Sequence, residues 1–167
     1  MNVAFLCLGG NMGDRLANLN RAKAIIEDEG MQIAGQSNMY ETQAWGTDNS
    51  PDYYNQCIKV KTELSAPALM QVLLNIEKKM GRVRTENRNE ARSVDLDILL
   101  FNNDTVESEL ITVPHPRLHL RQFVLKPLNE IASEVMHPVY NKSIHQLLLD
   151  CTDTLTATKI EPHVHLH

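Results

Sequence analysis

Two acidic residues interrupt an apolar segment in the second half of the chain. Asp95 and Asp97 are separated by one residue within residues 94–101. Side chains alternate between the two faces of a β-strand, so both carboxylates would project from one face and their apolar neighbours from the other. Two carboxylates this close repel each other unless a cation lies between them, and magnesium prefers such oxygen ligands together with substrate phosphates. The spacing predicts either a magnesium site or a solvated strand face whose acids pair with nearby arginines.

A cluster of basic residues lies just before these acids. Its four guanidinium groups could bind phosphate oxygens. They belong to Arg82, Arg84, Arg88 and Arg92. The whole chain carries a net charge of −5, so this positive charge is local and suits a small polyanion better than a nucleic-acid duplex. Metal-binding acids beside arginines favour phosphoryl chemistry.

The hydrophobic patterns predict an α+β fold that could position these groups. Strands are predicted at residues 3–8, 31–40, 54–62 and 94–101, with helices beginning after Asp14 and Ser65. This order is the ferredoxin-like βαββαβ arrangement. We expect its two helices to cover one sheet face and to leave the other open for a ligand. A C-terminal hairpin or loop near 105–110 and short helices near 131–135 and 143–149 would be added to this core.

The parity of the strand residues predicts which side chains share the open face. Tyr53 and Asn55 have the opposite parity to Ile58 and Val60, whose apolar side chains should face the helices. Asp95 and Asp97 oppose their own apolar neighbours in the same way. An aromatic ring, an amide and two acids are therefore predicted to lie on one surface.

Other candidate residues each have a structural alternative. The glycine-rich segment 9–14 follows a strand, but no Lys-Ser/Thr pair follows it, so we interpret it as a structural turn and not a phosphate-binding loop. Glu77 stands at the edge of an apolar helix stripe, where it is either an exposed flank residue or part of a site. His115, between two prolines, is either catalytic or structurally satisfied, and Phe123 is either a ligand contact or a core residue.

The bulk composition indicates one ordinary domain. A chain of 167 residues with 43% hydrophobic composition can build a single core, predicted here as residues 1–150 with a C-terminal tail at 151–167. Three histidines alternate near the end of that tail, where they either take a metal or have no role. No apolar segment is long enough to span a bilayer, and three scattered cysteines suit neither a disulfide framework nor a zinc site. These features favour a reduced, cytoplasmic location.

Several motifs together resemble a known enzyme family over about residues 3–148. The motifs are Leu8-Gly9-Gly10-Asn11-Met12-Gly13-Asp14, Tyr40-Glu41-Thr42, Asp52-Tyr53-Tyr54-Asn55, Ile76-Glu77 with Gly81-Arg82-Val83-Arg84, Arg92 with Asp95-Leu96-Asp97-Ile98-Leu99-Leu100-Phe101, and Val113-Pro114-His115-Pro116-Arg117 with Arg121-Gln122-Phe123-Val124-Leu125. In this order and spacing they resemble the hydroxymethyldihydropterin pyrophosphokinases. Those folate-pathway enzymes transfer a pyrophosphoryl group from ATP to 6-hydroxymethyl-7,8-dihydropterin.

The resemblance implies a role for each matching residue. Asp95 and Asp97 would hold two Mg2+ ions that clamp the ATP phosphates. The implied pterin contacts are Thr42, Tyr53, Asn55 and Phe123, with the ring held between the tyrosine and the phenylalanine. The implied ATP contacts are Glu77, Arg84, Ile98, Thr112, His115 and Arg121, while Arg82 and Arg92 would act on the phosphates. ATP and hydroxymethyldihydropterin are then the partners of a monomer that binds neither nucleic acid nor membrane.

The chain departs from the family pattern at three places. Asn89-Glu90-Ala91 replaces the usual Trp-Gly-Pro, which removes an aromatic lid contact and adds an acid near the phosphates. Gln43-Ala44-Trp45 replaces a proline-rich segment, so Trp45 either covers the pterin pocket or packs its own loop. The usual basic residue near Leu110 is absent. We expect these changes to affect loop closure and nucleotide affinity.

Two other functions would use some of the same sequence features. A ferredoxin-like RNA-binding or ligand-binding module would need exposed aromatic residues on its central strands and a basic surface. The first strand is apolar throughout and the net charge is negative, so neither feature supports it. A magnesium-dependent phosphohydrolase could use the same two acids, and product analysis would separate it from a pyrophosphokinase.

Overall fold

The structure is a computed structural model, and it describes residues 1–42, 52–81 and 93–160. This part of the chain forms a mixed fold with an antiparallel sheet and four α-helices. The strands are β1 (Asn2–Gly10), β2 (Gln32–Gln36), β3 (Tyr40–Thr42), β4 (Tyr53–Thr62), β5 (Asp95–Phe101), β6 (Val106–Glu107), β7 (Thr112–Val113) and β8 (Ala157–Lys159). The helices are α1 (Arg15–Asp28), α2 (Ala66–Lys79), α3 (Gln122–Ala132) and α4 (Ile144–Asp150), and a 3-10 turn spans Leu118–Leu120.

The first two helices begin at capping residues that were predicted from the sequence. The Asp14 carboxylate accepts a hydrogen bond from the backbone N–H of Ala17 at 3.0 Å, and the Ser65 hydroxyl accepts one from Ala68 at 3.3 Å. Each bond satisfies a donor that the first helical turn leaves without a partner. Gly30 follows α1 with a φ of +93°, a conformation that glycine adopts without a steric penalty.

The main sheet is built around β1. It pairs antiparallel with β4 on one side and with β5 on the other, and the strand order is β5-β1-β4-β3-β8. β2 joins the same edge of β4 as β3 does, beside the other half of the strand. β6 and β7 form a separate two-stranded hairpin.

The helices α1 and α2 cover one face of this sheet. Their apolar stripes pack on the inward side chains of β1, β4 and β5. Fully buried members of this first core include Leu6, Leu8, Leu19, Ile26, Ile58, Leu69, Leu73, Ile76 and Leu96. Burying one such side chain contributes about 1.5–3 kcal/mol relative to leaving it in water.

The opposite face is covered over much of its area, and the prediction that it stays open for a ligand is wrong to that extent. A second core lies between this face and the helices α3 and α4. It includes Phe5, Cys7, Cys57, Leu99, Leu118, Val124, Leu125, Leu128, Ile144 and Leu147. Asp97 and Tyr53 nevertheless remain exposed on this side.

Three elements differ from their sequence-based predictions. The strand predicted at 31–40 is divided into β2 and β3. Between them, the Ser37 hydroxyl accepts the N–H of Cys57 at 3.0 Å in place of a backbone carbonyl, which interrupts the hydrogen-bond ladder. The short helix predicted near 131–135 is wrong: α3 spans Gln122–Ala132 and contains Pro127, which lacks the N–H that a helix interior uses. Within the predicted tail, β8 pairs with β3.

No helix in residues 1–42, 52–81 and 93–160 combines the length and apolar character that a membrane crossing requires.

A buried histidine organises the turn between α3 and α4. His137 is 3% exposed, and its Nδ1 accepts hydrogen bonds from the backbone N–H groups of Val139 at 3.1 Å and Tyr140 at 3.2 Å. Its ring also stacks on Tyr140, which contacts His119 in turn. Burial lowers the pKa of His137, and the neighbouring His119 lowers it further.

Folding stability should therefore fall in mild acid through His137. The unfolded chain takes up a proton below about pH 6.5, which the folded state resists, so the stabilisation is complete above that pH and decreases as the pH falls below it. His137→Asn keeps an oxygen acceptor for the two N–H groups but cannot titrate. Urea unfolding at pH 7.5 and pH 5.0 should show a smaller loss for this variant than for the wild type. The exposed His145, replaced by Asn, is the matched control, and equal losses in all three proteins would contradict the assignment.

Candidate functional site

The sheet register brings two groups of predicted site residues onto one face. Asn55 pairs with Gly9 across β4 and β1, and Gly9 pairs with Asp95 across β1 and β5. Residues paired across antiparallel strands point to the same face. Two strand spacings separate Asn55 from Asp95, which is about 10 Å. The amide and the acid pair therefore lie within the length of one small ligand.

Gly9 makes room on this face for the Asn55 side chain. A Cβ atom at position 9 would overlap with Asn55 Oδ1. The neighbouring Gly10 has a similar constraint, because a Cβ there would lie 2.7 Å from the carbonyl oxygen of Ser93. Both glycines belong to β1 and not to the predicted turn, so their function is to permit close approach.

Thr42 and Tyr53 form the next pair along the same face. They are directly opposite each other in β3 and β4. Tyr53 is 37% exposed and presents its ring to solvent, whereas Thr42 is 3% exposed. Thr42 Oγ1 is buried and has no hydrogen-bond partner in the described residues. A buried hydroxyl in this state costs free energy unless a ligand satisfies it.

Phe123 lies in the first turn of α3. Two contacts, one near each end of this helix, hold α3 against the sheet. The Cys57 thiol, two residues along β4 from Asn55, donates to the carbonyl of Val124 at 3.8 Å. At the other end of α3, the Tyr40 hydroxyl donates to the Glu130 carboxylate. Burial and this carboxylate raise the pKa of Tyr40, so its hydroxyl remains a donor. Phe123 itself is half-buried.

The acid-bearing strand is fixed by a buried carboxylate from α2. Glu77 is 5% exposed, and its Oε2 accepts the backbone N–H of Leu96 at 2.8 Å. Leu96 separates Asp95, which is half-buried, from Asp97, which is exposed. Glu77 is thus neither an exposed flank residue nor a side chain pointing into solvent. It anchors the edge of β5 directly between the two acids.

His115 approaches the acids from the loop after β7. Its backbone N–H donates to Leu99 in β5 at 2.9 Å, and its Nδ1 accepts the N–H of Arg117 at 3.2 Å. In the neutral ring Nε2 then carries the proton. Burial lowers the pKa of His115; the Asp97 carboxylate opposes this shift, whereas Arg121 and Arg117 add to it. The imidazole, a carboxylate and two guanidinium groups are therefore close enough to interact.

The remaining predicted site residues differ in their exposure and surroundings. The Ile98 side chain is 3% exposed in the first core, so any contact with a nucleotide would use its backbone. Thr112 is exposed on β7, and the Arg121 guanidinium lies 5.5 Å from the centre of the Phe123 ring. Trp45, Arg82, Arg84 and Arg92 lie outside the described residues.

The donor set suits a hard cation that retains other ligands. Among residues 1–42, 52–81 and 93–160, no three acidic, histidine or cysteine side chains converge as a metal cage. Magnesium commonly binds through one or two carboxylates and completes its shell with water and substrate phosphates. Asp95 and Asp97 fit that pattern.

Arg15 makes contacts that the sequence reasoning did not include. Its guanidinium lies 4.0 Å from the centre of the Tyr54 ring, and Nη1 donates to the carbonyl of Asp52 at 2.6 Å. These partners are distant in sequence, so neither periodicity nor a local motif indicates them. The only local feature that could have drawn attention to Arg15 is its position directly after Asp14, the residue that caps α1.

Comparisons with known proteins agree on one family. Residues 5–133 match the family described as 7,8-dihydro-6-hydroxymethylpterin-pyrophosphokinase (HPPK). The 2-amino-4-hydroxy-6-hydroxymethyldihydropteridine pyrophosphokinase of Synechocystis is 40% identical over 152 residues, covering 89% of this chain and 77% of that protein. The Bacillus subtilis enzyme of the same name is 39% identical over 135 residues and 80% of each chain.

A solved structure shows the same fold within a longer protein. Wild-type HPPK-DHPS of Plasmodium falciparum matches 89% of this chain with a TM-score of 0.67 at 18% identity. The match spans 41% of that longer chain. Neither an RNA-binding module nor a phosphohydrolase is supported by these comparisons. The chain belongs to the 7,8-dihydro-6-hydroxymethylpterin-pyrophosphokinase family.

Proposed function

We propose that the sheet face bearing Asn55 and Asp95 is where this pyrophosphokinase brings its two substrates together. As a family member the chain transfers pyrophosphate from ATP to 6-hydroxymethyl-7,8-dihydropterin in folate biosynthesis, giving AMP and the pterin diphosphate. The main support for choosing this face is that Gly9 pairs with Asn55 on one side and with Asp95 on the other. It puts an amide suited to a pterin about 10 Å from acids suited to a phosphate-bound cation.

The pterin would bind between Tyr53 and Phe123. A flat heteroaromatic ring gains from stacking on aromatic faces, and an amide can both donate to its edge and accept from it. Tyr53 is exposed and Asn55 lies on the same face, while Thr42 supplies a buried hydroxyl for which the described part of the chain offers no hydrogen-bond partner. Trp45 as a further contact stays a prediction from the sequence.

The phosphates would lie above Asp95 and Asp97. These carboxylates would hold two Mg2+ ions, which when bound neutralise charge on the attacking and leaving oxygens. Glu77 keeps the two acids in register by holding the N–H of Leu96. Phosphoryl transfer depends mainly on positioning and charge neutralisation, so a strong protein base is not required.

His115 and Arg121, on the segment between β7 and α3, would bind the nucleotide. The neutral His115 ring offers an Nε2–H donor because Nδ1 is already an acceptor for the Arg117 N–H. Arg121 supplies a guanidinium suited to a phosphate. Thr112 and the backbone of Ile98 would complete the ATP contacts, and the roles of Arg82, Arg84 and Arg92 stay predictions.

We also propose that the core of the fold is the ferredoxin-like βαββαβ arrangement, which the strand order and the two helices on one face support. We propose further that residues 1–150 act as a monomer on small-molecule substrates, without nucleic acid or membrane, in the cytoplasm.

The acid pair is tested by Asp97→Asn together with product analysis. With ATP, the pterin and magnesium, the wild type should release AMP and the pterin diphosphate. The variant should lose at least about a hundredfold in kcat because a charged group that stabilises the transition state is gone. The melting temperature of the variant is measured alongside, because an unfolded variant would also lose turnover. Asp104→Asn, on an exposed turn, is the control; wild-type turnover in the Asp97 variant would refute the metal assignment.

Thr42→Val tests whether the partnerless hydroxyl belongs to the pterin site. Valine has nearly the shape of threonine and removes a buried polar atom that makes no hydrogen bond in the described residues. The unliganded protein should thus be as stable as the wild type or more stable, while the dissociation constant for the pterin should rise about tenfold, for one lost hydrogen bond. A destabilised variant with unchanged pterin affinity would show a structural role for the hydroxyl.

Phe123→Ala should weaken pterin binding by about 1–3 kcal/mol through lost stacking and burial. Affinity for ATP should change much less. Phe123→Leu separates the two contributions, because leucine keeps the apolar volume and loses the aromatic face. If leucine restores full pterin affinity, or if alanine unfolds the protein, Phe123 acts as a core residue and the stacking proposal fails.

A further inference from the structure

Arg15 contacts three residues at the ends of β3 and β4. Its Nη1 donates to the carbonyl oxygen of Asp52 at 2.6 Å and lies 3.5 Å from Glu41 Oε2. Its guanidinium carbon lies 4.0 Å from the centre of the Tyr54 ring. The Arg15 side chain is 24% exposed, so these contacts are partly shielded from water. One side chain thus joins the start of α1 to both strands.

These contacts lie on the face covered by α1 and α2, behind the proposed pterin pocket. Glu41 and Tyr54 are paired across the strands, and the next pair, Thr42 with Tyr53, points to the opposite face. Asp52 immediately precedes Tyr53. Each of these three partners is therefore a chain neighbour of Thr42 or Tyr53, and fixing the partners fixes the backbone that carries these two side chains.

The strand ends need such a tie because their own pairing is short. β3 contains three residues, and residue 42 is its last. Residues 41 and 52 also stand on either side of residues 43–51 in the sequence, so the Arg15 guanidinium bridges the two ends of that connection. A planar guanidinium can stack on a ring and donate in its own plane simultaneously, whereas a lysine ammonium cannot.

We infer that Arg15 is a positioning residue for the pterin pocket: it holds the paired ends of β3 and β4 from behind so that Thr42 and Tyr53 meet the pterin. This role rests on the proposed function of the sheet face. Arg15 itself does not touch the substrate, so its removal should reduce pterin affinity through the geometry of the pocket. Within the described residues, the proposed ATP contacts lie on α2, β5, β7 and the segment between β7 and α3, whereas the contacts of Arg15 are with Asp52, Glu41 and Tyr54.

Binding of each substrate to Arg15→Ala, Arg15→Lys and wild-type protein tests this role. Titration calorimetry should show the dissociation constant for the pterin rising about tenfold in the alanine variant, while that for an ATP analogue changes less than about twofold. The lysine variant should give an intermediate value, because it keeps the charge near Glu41 and loses the stacking. Arg21→Ala removes an exposed arginine from the same helix and should bind both ligands as the wild type does.

The outcomes separate the two proposals. If the wild type fails to bind the pterin, the proposed function of this face fails. If the wild type binds it and Arg15→Ala loses affinity for both ligands equally, or only melts at a lower temperature, the positioning role is overturned while the function stands. If the alanine variant does not fold, the lysine variant decides by the same comparison of the two ligands.

Discussion

The antiparallel register of the central strand β1 is the constraint on which the site depends. β1 pairs with β4 on one edge and with β5 on the other, so the residue opposite Gly9 is Asn55 on one side and Asp95 on the other. A slip of one residue in either pairing would turn one group to the face covered by α1 and α2. Because glycine carries no side chain, nothing at position 9 separates the amide from the acid. The register thus creates the candidate site, and Gly9 leaves room in it for the Asn55 side chain.

Supports behind and beside the sheet then hold this face in place. Glu77 reaches the edge of β5 from α2, and Arg15 reaches the ends of β3 and β4 from α1. On the near side, α3 is held by Cys57 and by Tyr40, which fixes the turn bearing Phe123. Buried anchors of this kind limit side-chain freedom, and preorganisation is the main contribution a protein makes to phosphoryl transfer.

Features with local or periodic causes were predictable from the sequence. The caps Asp14 and Ser65 and the common face of Asn55 and Asp95 follow from helix chemistry and strand parity. Features that depend on distant partners were not. Helix α3 begins nine residues before the predicted short helix near 131–135, and the packing of α3 and α4 on the second face was therefore not predicted.

The most direct test of the shared face is whether Asn55 lies close to the proposed metal site at Asp95 in solution. Mn2+, added with a non-hydrolysable ATP analogue, should occupy the Asp95 site and broaden the side-chain amide resonances of nearby residues. Asn55 should lie about 10 Å away, whereas Asn2, seven residues from Gly9 along the same strand, should lie about 23 Å away. The account predicts strong broadening of the Asn55 amide and little for Asn2. Equal broadening of the two amides, or a sharp Asn55 signal with the metal bound, would contradict it.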